Sequence, residues 1–306
     1  MRIEIGLVVK RLVVIMALAG ILISPALATF HEMQIEQVIG GVDGDTTAQA
    51  IQLRMRVAGQ NLVSAAKLVA FDATGSNAIT ILDLATDVTN ASAGSRILIV
   101  SSNFINSTMP TALPDFVLTT PIPSNYLAAG RLSWEDDAGA IFWSLSWGGT
   151  NYTGSNIANS TINDADTNFG PPFDGVLPSM STSALLFTNS ASAKSRSNVV
   201  DYVVTTGAAT FTNNAGAGFT VVSQPPRITA ISRELGDIRI AWMTIAGRTN
   251  VVQFTAGDAG GSFTNNFADL TGPIIVSGSG QIGTNYLDTG GATNFPSRFY
   301  RIRFVQ

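Results

Sequence analysis

The sequence predicts an all-β chain of two β-sandwich domains, and three observations carry that prediction. Charged residues make up 12% of the 306, well under the ~25% of an ordinary soluble domain. Thr, Ser, Asn, Gly and Ala take their place, a mix that suits strands and turns and lacks the Glu, Lys and Leu that cover helices. Second, the clearest periodicity is two. Across 49–57, Ile51, Leu53, Met55 and Val57 alternate with Gln52, Arg54 and Arg56, which directs the apolar set to a core and the polar set to water. Third, residues 130–149, GRLSWEDDAGAIFWSLSWGG, hold three of the four tryptophans. This stretch reads as a hairpin turning at Glu135-Asp136-Asp137-Ala138-Gly139, whose glycine supplies a positive φ. Ile141, Trp143, Leu145 and Trp147 then share one face. Aromatic surface on that scale needs cover, so the hairpin is expected at the centre of a sandwich core.

In chain order, residues 1–28 read as a cleaved signal peptide. Lys10 and Arg11 precede an apolar run over 12–23, and Ser24-Pro25-Ala26-Leu27-Ala28 offers a cleavage site before Thr29. The run is shorter than the ~20 apolar residues of a membrane span, and no later stretch is longer. The expected protein is therefore secreted, extracellular or at the cell surface, with no membrane span in the mature chain. It contains no cysteine, which excludes disulfides, a thiolate nucleophile, a thiolate-ligated metal and a lipid-bearing cysteine. Removing the leader leaves 14 basic and 20 acidic residues, and a mildly acidic surface argues against nucleic acid.

The first domain is expected over 29–224. Its strands are read at 33–39, 49–57, 67–72, 79–84 and 96–100, separated by the turn-rich Gly40-Gly41-Val42-Asp43-Gly44-Asp45 and by Gly75-Ser76-Asn77. Pro110, Pro114, Pro121 and Pro123 mark an irregular approach to the hairpin. A long polar loop follows at 150–178, a length that is often functional. Strands at 183–187, 198–205 and 219–223 close the domain, and Val199-Val200-Asp201-Tyr202-Val203-Val204 has the β-branched bias of a buried strand. Gln224-Pro225-Pro226 marks the boundary. The second domain, 225–306, has strands at 238–242, 249–253 and 299–304, with Ile238, Ile240 and Trp242 on one face. Charge divides between the two: 7 basic and 15 acidic residues in the first, 7 and 5 in the second.

Ile35 to Val38, the Gly/Asp-rich loop, Ala50-Ile51-Gln52-Leu53, residues 62–68 and 94–100, and the 130–149 hairpin together resemble a lamin-tail domain. Gln49 and Gln52 stand where that family usually has acidic residues. The resemblance implies an immunoglobulin-like sandwich used as a modular, mostly non-catalytic unit. Gly247-Arg248-Thr249-Asn250-Val251-Val252-Gln253 and Pro296-Ser297-Arg298-Phe299-Tyr300-Arg301-Ile302 are similar to the fibronectin-III-like C-terminal module of exported verrucomicrobial and planctomycete-type bacterial proteins.

The residues that could carry chemistry are few. His31 is the only histidine; it is read as a solvated tail or first-strand residue, which leaves no Ser-His-Asp triad or His-ligated zinc site. A glycosidase needs only two carboxylates, and Glu135-Asp136-Asp137 is the densest acidic cluster, expected as a solvated turn. Asp164, Asp166 and Asn168 alternate as oxygen ligands do in a Ca²⁺ loop, although Gly170 falls one place late and no Glu follows at the twelfth. Asp43-Gly44-Asp45 is a weaker form of the same idea. Trp134, Trp143 and Trp147 could stack on sugars, but their alternation with Ile141 and Leu145 favours a core.

These features predict a non-catalytic exported protein, extracellular or envelope-associated, acting through surface contacts with an envelope or extracellular protein or a glycan. Its cofactor would be none or a structural calcium ion. A carbohydrate-binding protein, using an exposed aromatic face or the 150–178 loop, and a carboxylate-only glycosidase stand as alternatives.

Overall fold

The computed structural model describes residues 30–223, 226–278, 280–293 and 295–305; the expected signal peptide and Gln224-Pro225 of the expected boundary lie outside them. Strands dominate, as the composition predicts. The first thirteen are β1 (Met33–Ile39), β2 (Ala50–Met55), β3 (Ala66–Phe71), β4 (Ala78–Asp83), β5 (Arg96–Val100), β6 (Thr108–Met109), β7 (Phe116–Val117), β8 (Gly130–Asp136), β9 (Ile141–Trp147), β10 (Leu185–Phe187), β11 (Tyr202–Val204), β12 (Thr210–Thr212) and β13 (Gly218–Val221). They form a six-stranded sheet ordered β11-β10-β1-β2-β5-β7, a four-stranded sheet β4-β3-β8-β9 and a small sheet β12-β13-β6.

The six-stranded sheet is covered on both sides. Ile35, Leu53 and Ile97 point from one face into the principal core, where they meet Leu132, Trp134, Trp143 and Trp147 of the four-stranded sheet. Ile39, Ala50 and Leu98 point from the other face toward Phe104, Phe211 and Phe219. Three layers result, and the alternation of β2 therefore does not divide core from water. Gln52 and Arg56 are buried, whereas Val57 is exposed, the reverse of the sequence expectation for these positions.

The predicted hairpin is β8–β9, with Trp134 opposite Trp143. Each indole N–H finds an acceptor inside: Trp134 Nε1 donates to the Phe30 carbonyl, Trp143 Nε1 to Tyr202 Oη and Trp147 Nε1 to the Tyr126 carbonyl, all at 2.9 Å. The chain leaves β9 through Gly148 at φ 102°, where a Cβ would lie 2.4 Å from Ala129 Cβ. Both the positive φ and the clash require glycine. Gly148→Ala is expected to lower stability by well over ~1 kcal/mol, since the native conformation rejects the new side chain; denaturant unfolding measures it.

Residues 198–205 differ from the expected buried strand. Asn198–Asp201 forms one helical turn before β11, because the buried Asp201 carboxylate accepts from Arg196 N at 2.7 Å and from Ser195 Oγ at 3.0 Å and so pins the turn. β11 is an edge strand, with Val203 and Val204 exposed.

After residue 226 come β14 (Arg227–Glu234), β15 (Asp237–Ile245), β16 (Thr249–Gly257), β17 (Ala268–Asp269), β18 (Ile274–Ile275), β19 (Gln281–Asp288) and β20 (Ser297–Val305). β14-β15-β19 form one sheet; β17, β18 and β20 pair with β16 in another. Ile240, Trp242 and Val252 are the buried centre, with Ile228, Tyr286 and Ile302 packed around them. Arg248 reaches back to the β1–β2 loop, where its Nε donates to the Asp43 carbonyl at 2.5 Å and its Nη2 lies 3.3 Å from Asp43 Oδ1. Among the described residues no helix is long and apolar enough to cross a membrane.

Candidate functional site

The sequence-predicted positions fall in three different places. The tryptophans of the hairpin are fully buried, so their faces hold the core together and offer no sugar platform. Glu135 is buried as well and accepts from Ser133 Oγ at 2.5 Å, while Asp136 Oδ1 accepts from Ala140 N at 2.7 Å; Asp137, Ala138 and Gly139 are exposed at the tip, the solvated turn expected there. His31 is partly exposed and stacks on Phe142, with ring centroids 4.1 Å apart. Burial pulls its imidazole below the ordinary value, against the opposing charge of Asp136.

Asp164, Asp166 and Asn168 lie in one loop and form a ladder of side-chain-to-backbone turns. Asp164 Oδ1 accepts from Asp166 N and Asp166 Oδ1 from Asn168 N, both at 2.9 Å, and Asn168 Oδ1 from Gly170 N at 3.1 Å. Spacing by two therefore serves the backbone first. Asp164 is 1% exposed, and its Oδ2 has no hydrogen-bond partner. Burial and the adjoining Asp166 carboxyl push its own carboxyl up, the condition a bound cation would relieve. The weaker candidate loop is already occupied: Asp43 binds Arg248, and Asp45 Oδ1 accepts from Thr47 N at 2.9 Å.

A site that the sequence reading did not identify lies on the outer face of the six-stranded sheet. It begins with a β-bulge. β1 and β2 pair Ile35 with Leu53 but Gln37 with Gln52, which leaves Glu36 as the extra residue. A bulge re-aims the side chains beside it, and here Glu36 and Gln37 both line one groove of about 450 Å³. β2 supplies Gln52 and Arg54 to it, β5 supplies Arg96, and Thr188, Asn189, Thr210 and Thr212 form its rim.

Glu36 is 3% exposed and fully paired. Arg54 Nη1 lies 2.8 Å from its Oε1. Arg96 Nε donates to Oε2 at 2.7 Å and Nη2 to Oε1 at 3.1 Å, while Gln52 Nε2 donates to Oε2 at 2.8 Å. A carboxylate so surrounded holds two guanidinium planes in place. Burial pulls the Arg54 guanidinium down and Glu36 opposes it. Among the lining residues Glu36 is the only carboxylate. Gln37 differs from its neighbours: it is 4% exposed, and its Nε2 has no hydrogen-bond partner. A buried amide left unpaired costs ~1–3 kcal/mol, and such a group in a groove points to a missing ligand or solvent partner.

Comparison adds no name to this geometry. No protein-family profile, curated protein or solved structure matches the chain. The groove's chemistry therefore stands on its own residues. A signal for it does exist in the sequence: Met33, Ile35 and Val38, which share the principal core, are spaced by two and then by three, the slip of one residue that marks a bulge.

Proposed function

We propose that the chain is a non-catalytic exported protein, extracellular or envelope-associated, that works by binding, with the groove over β1, β2 and β5 as its contact site. The observation that carries this reading is the unpaired, buried Gln37 amide set beside a fully paired Glu36. A lone carboxylate held by four donors suits recognition better than hydrolysis by a carboxylate pair. The likeness of the first part to lamin-tail domains and of the last to fibronectin-III-like modules supports a modular, non-catalytic role, with immunoglobulin-like sandwiches as the scaffold. The leader over 1–28 supports export. The test is a panel of glycans and envelope polymers probed with the chain from Thr29 and with Gln37→Leu. Binding that the substitution abolishes supports the reading; turnover of any panel member, or binding indifferent to residue 37, overturns it.

A structural Ca²⁺ held by Asp164, Asp166 and Asn168 belongs to the same proposal, since Asp164 Oδ2 is the buried oxygen without a donor. Millimolar Ca²⁺ is expected to raise the thermal midpoint above that in EDTA, because an ion bound only by the folded state stabilises it by about 2.7 kcal/mol at a hundredfold its Kd. Asp164→Asn removes the rise. Equal midpoints with and without the ion dispose of it.

A further inference from the structure

The charge left in the groove is one-sided, and from it we infer that the ligand is a carboxylate-bearing sugar, a uronic acid unit of an acidic glycan. The inference rests on the groove being a binding site. Its charged acceptor is occupied: both Glu36 oxygens bind guanidinium or amide donors. Gln52 Oε1 accepts from Thr212 N. Arg54 is occupied too, with Nε on Gln34 Oε1 at 2.8 Å, Nη1 on Glu36 and Nη2 on the Asn189 carbonyl at 3.0 Å. The charge left open, among the described residues, is the outer edge of Arg96: its side chain, 35% exposed, is the most open of the three charged groups, and its Nη1 lies beyond the Nε and Nη2 that hold Glu36. The unpaired Gln37 amide lines the same groove.

Charge sets the class of anion. Two guanidiniums against one carboxylate leave a single positive charge, which one carboxylate neutralises and which a dianionic phosphate would exceed. An arginine edge beside an amide N–H matches a planar carboxylate. The floor decides between sugar and peptide. β1, β2 and β5 lie inside the sheet with neighbours on both sides, so their backbone is already paired and a peptide cannot be added as a strand. Only side chains are offered, and the rim of Thr188, Asn189, Thr210 and Thr212 is of the short polar kind that pairs with ring hydroxyls. A volume of about 450 Å³ falls in the range of small-ligand sites.

Calorimetric titration of the chain from Thr29 with trigalacturonate, and with galactotriose as its neutral counterpart, tests the inference. Trigalacturonate is expected to bind, more weakly as salt rises, and galactotriose not to bind. Gln37→Leu is expected to weaken binding by about tenfold or more. Its thermal midpoint should be unchanged or raised, because it removes an unpaired buried amide. That combination separates loss of a contact from loss of the fold. Equal binding of the two sugars that Gln37→Leu abolishes overturns the carboxylate and keeps the groove. Trigalacturonate binding untouched by Gln37→Leu overturns the groove itself. If neither sugar binds at millimolar concentration, the uronate inference falls, and the panel described above still judges the groove.

Discussion

Glu36→Ala is expected to destabilise the protein by about 3–5 kcal/mol, the cost of breaking a buried ion pair by removing one partner. Glu36 is the single counter-charge for Arg54 and Arg96, and Arg54 cannot move out to solvent, since its Nε and Nη2 are held by Gln34 and the Asn189 carbonyl. Gln52 loses the acceptor of its Nε2 in the same change. Arg96, the more exposed partner, can rotate toward water, which places the effect nearer the lower figure. Glu36→Gln keeps an acceptor for part of the network and is expected to cost less. Urea unfolding with an unchanged m-value would measure the difference; a loss below about 1 kcal/mol would mean that the arginines find water and that the network is a surface feature.

The second large effect is expected at Trp143. Truncation to alanine should cost about 3–5 kcal/mol, the range for an aromatic removed from a close-packed core. Phe169 and Phe187 both pack on this ring, with centroids 5.3 and 5.4 Å away, so the cavity opens in the middle of an aromatic cluster. The loss reaches further through Tyr202, whose hydroxyl accepts from Trp143 Nε1 and donates to the Ile35 carbonyl at 2.6 Å. Burial holds that phenol well above its ordinary pKa, so it remains a neutral donor. Trp143→Phe preserves most of the volume and removes the N–H, and is expected to cost less than the alanine variant. The same unfolding experiment compares the two, and equal losses would show that the hydrogen bond rather than the volume decides.

These two sites were unequally legible. The hairpin carrying Trp143 could be read because a period of two, a glycine turn and bulky residues on one face all point the same way. Glu36 could not be placed by that logic. The rule that the polar side of an alternating strand meets water assumes one covered face, and the six-stranded sheet has two. The rule therefore sends Gln52 and Arg56 to solvent, whereas both are buried. The groove is also assembled from residues near 36, 53, 96, 188 and 211, and no local motif records that meeting. β14 and β19 escaped notice for another reason. Both are edge strands, β14 largely exposed and β19 alternating between exposed and partly buried, and their positions follow from pairing with β15, so the information resides mainly in the partner. The Asp164, Asp166 and Asn168 pattern was visible, but the same spacing that suits a cation also builds consecutive turns.

The position of β1 has a consequence for the protein's own synthesis. Its two neighbours are β2, which follows at once, and β10, which puts Leu186 opposite Gln37. A chain emerging from its N-terminus can form β1–β2 early, yet one edge of β1 stays open until β10 and β11 have been made. Closing so long a loop before any contact rewards it slows folding. Meanwhile an open strand edge is a template for pairing with other chains. The interval of greatest risk for this protein therefore lies before the native state, in the time between making β2 and making β10, and fragments ending after β9 should be the aggregating ones.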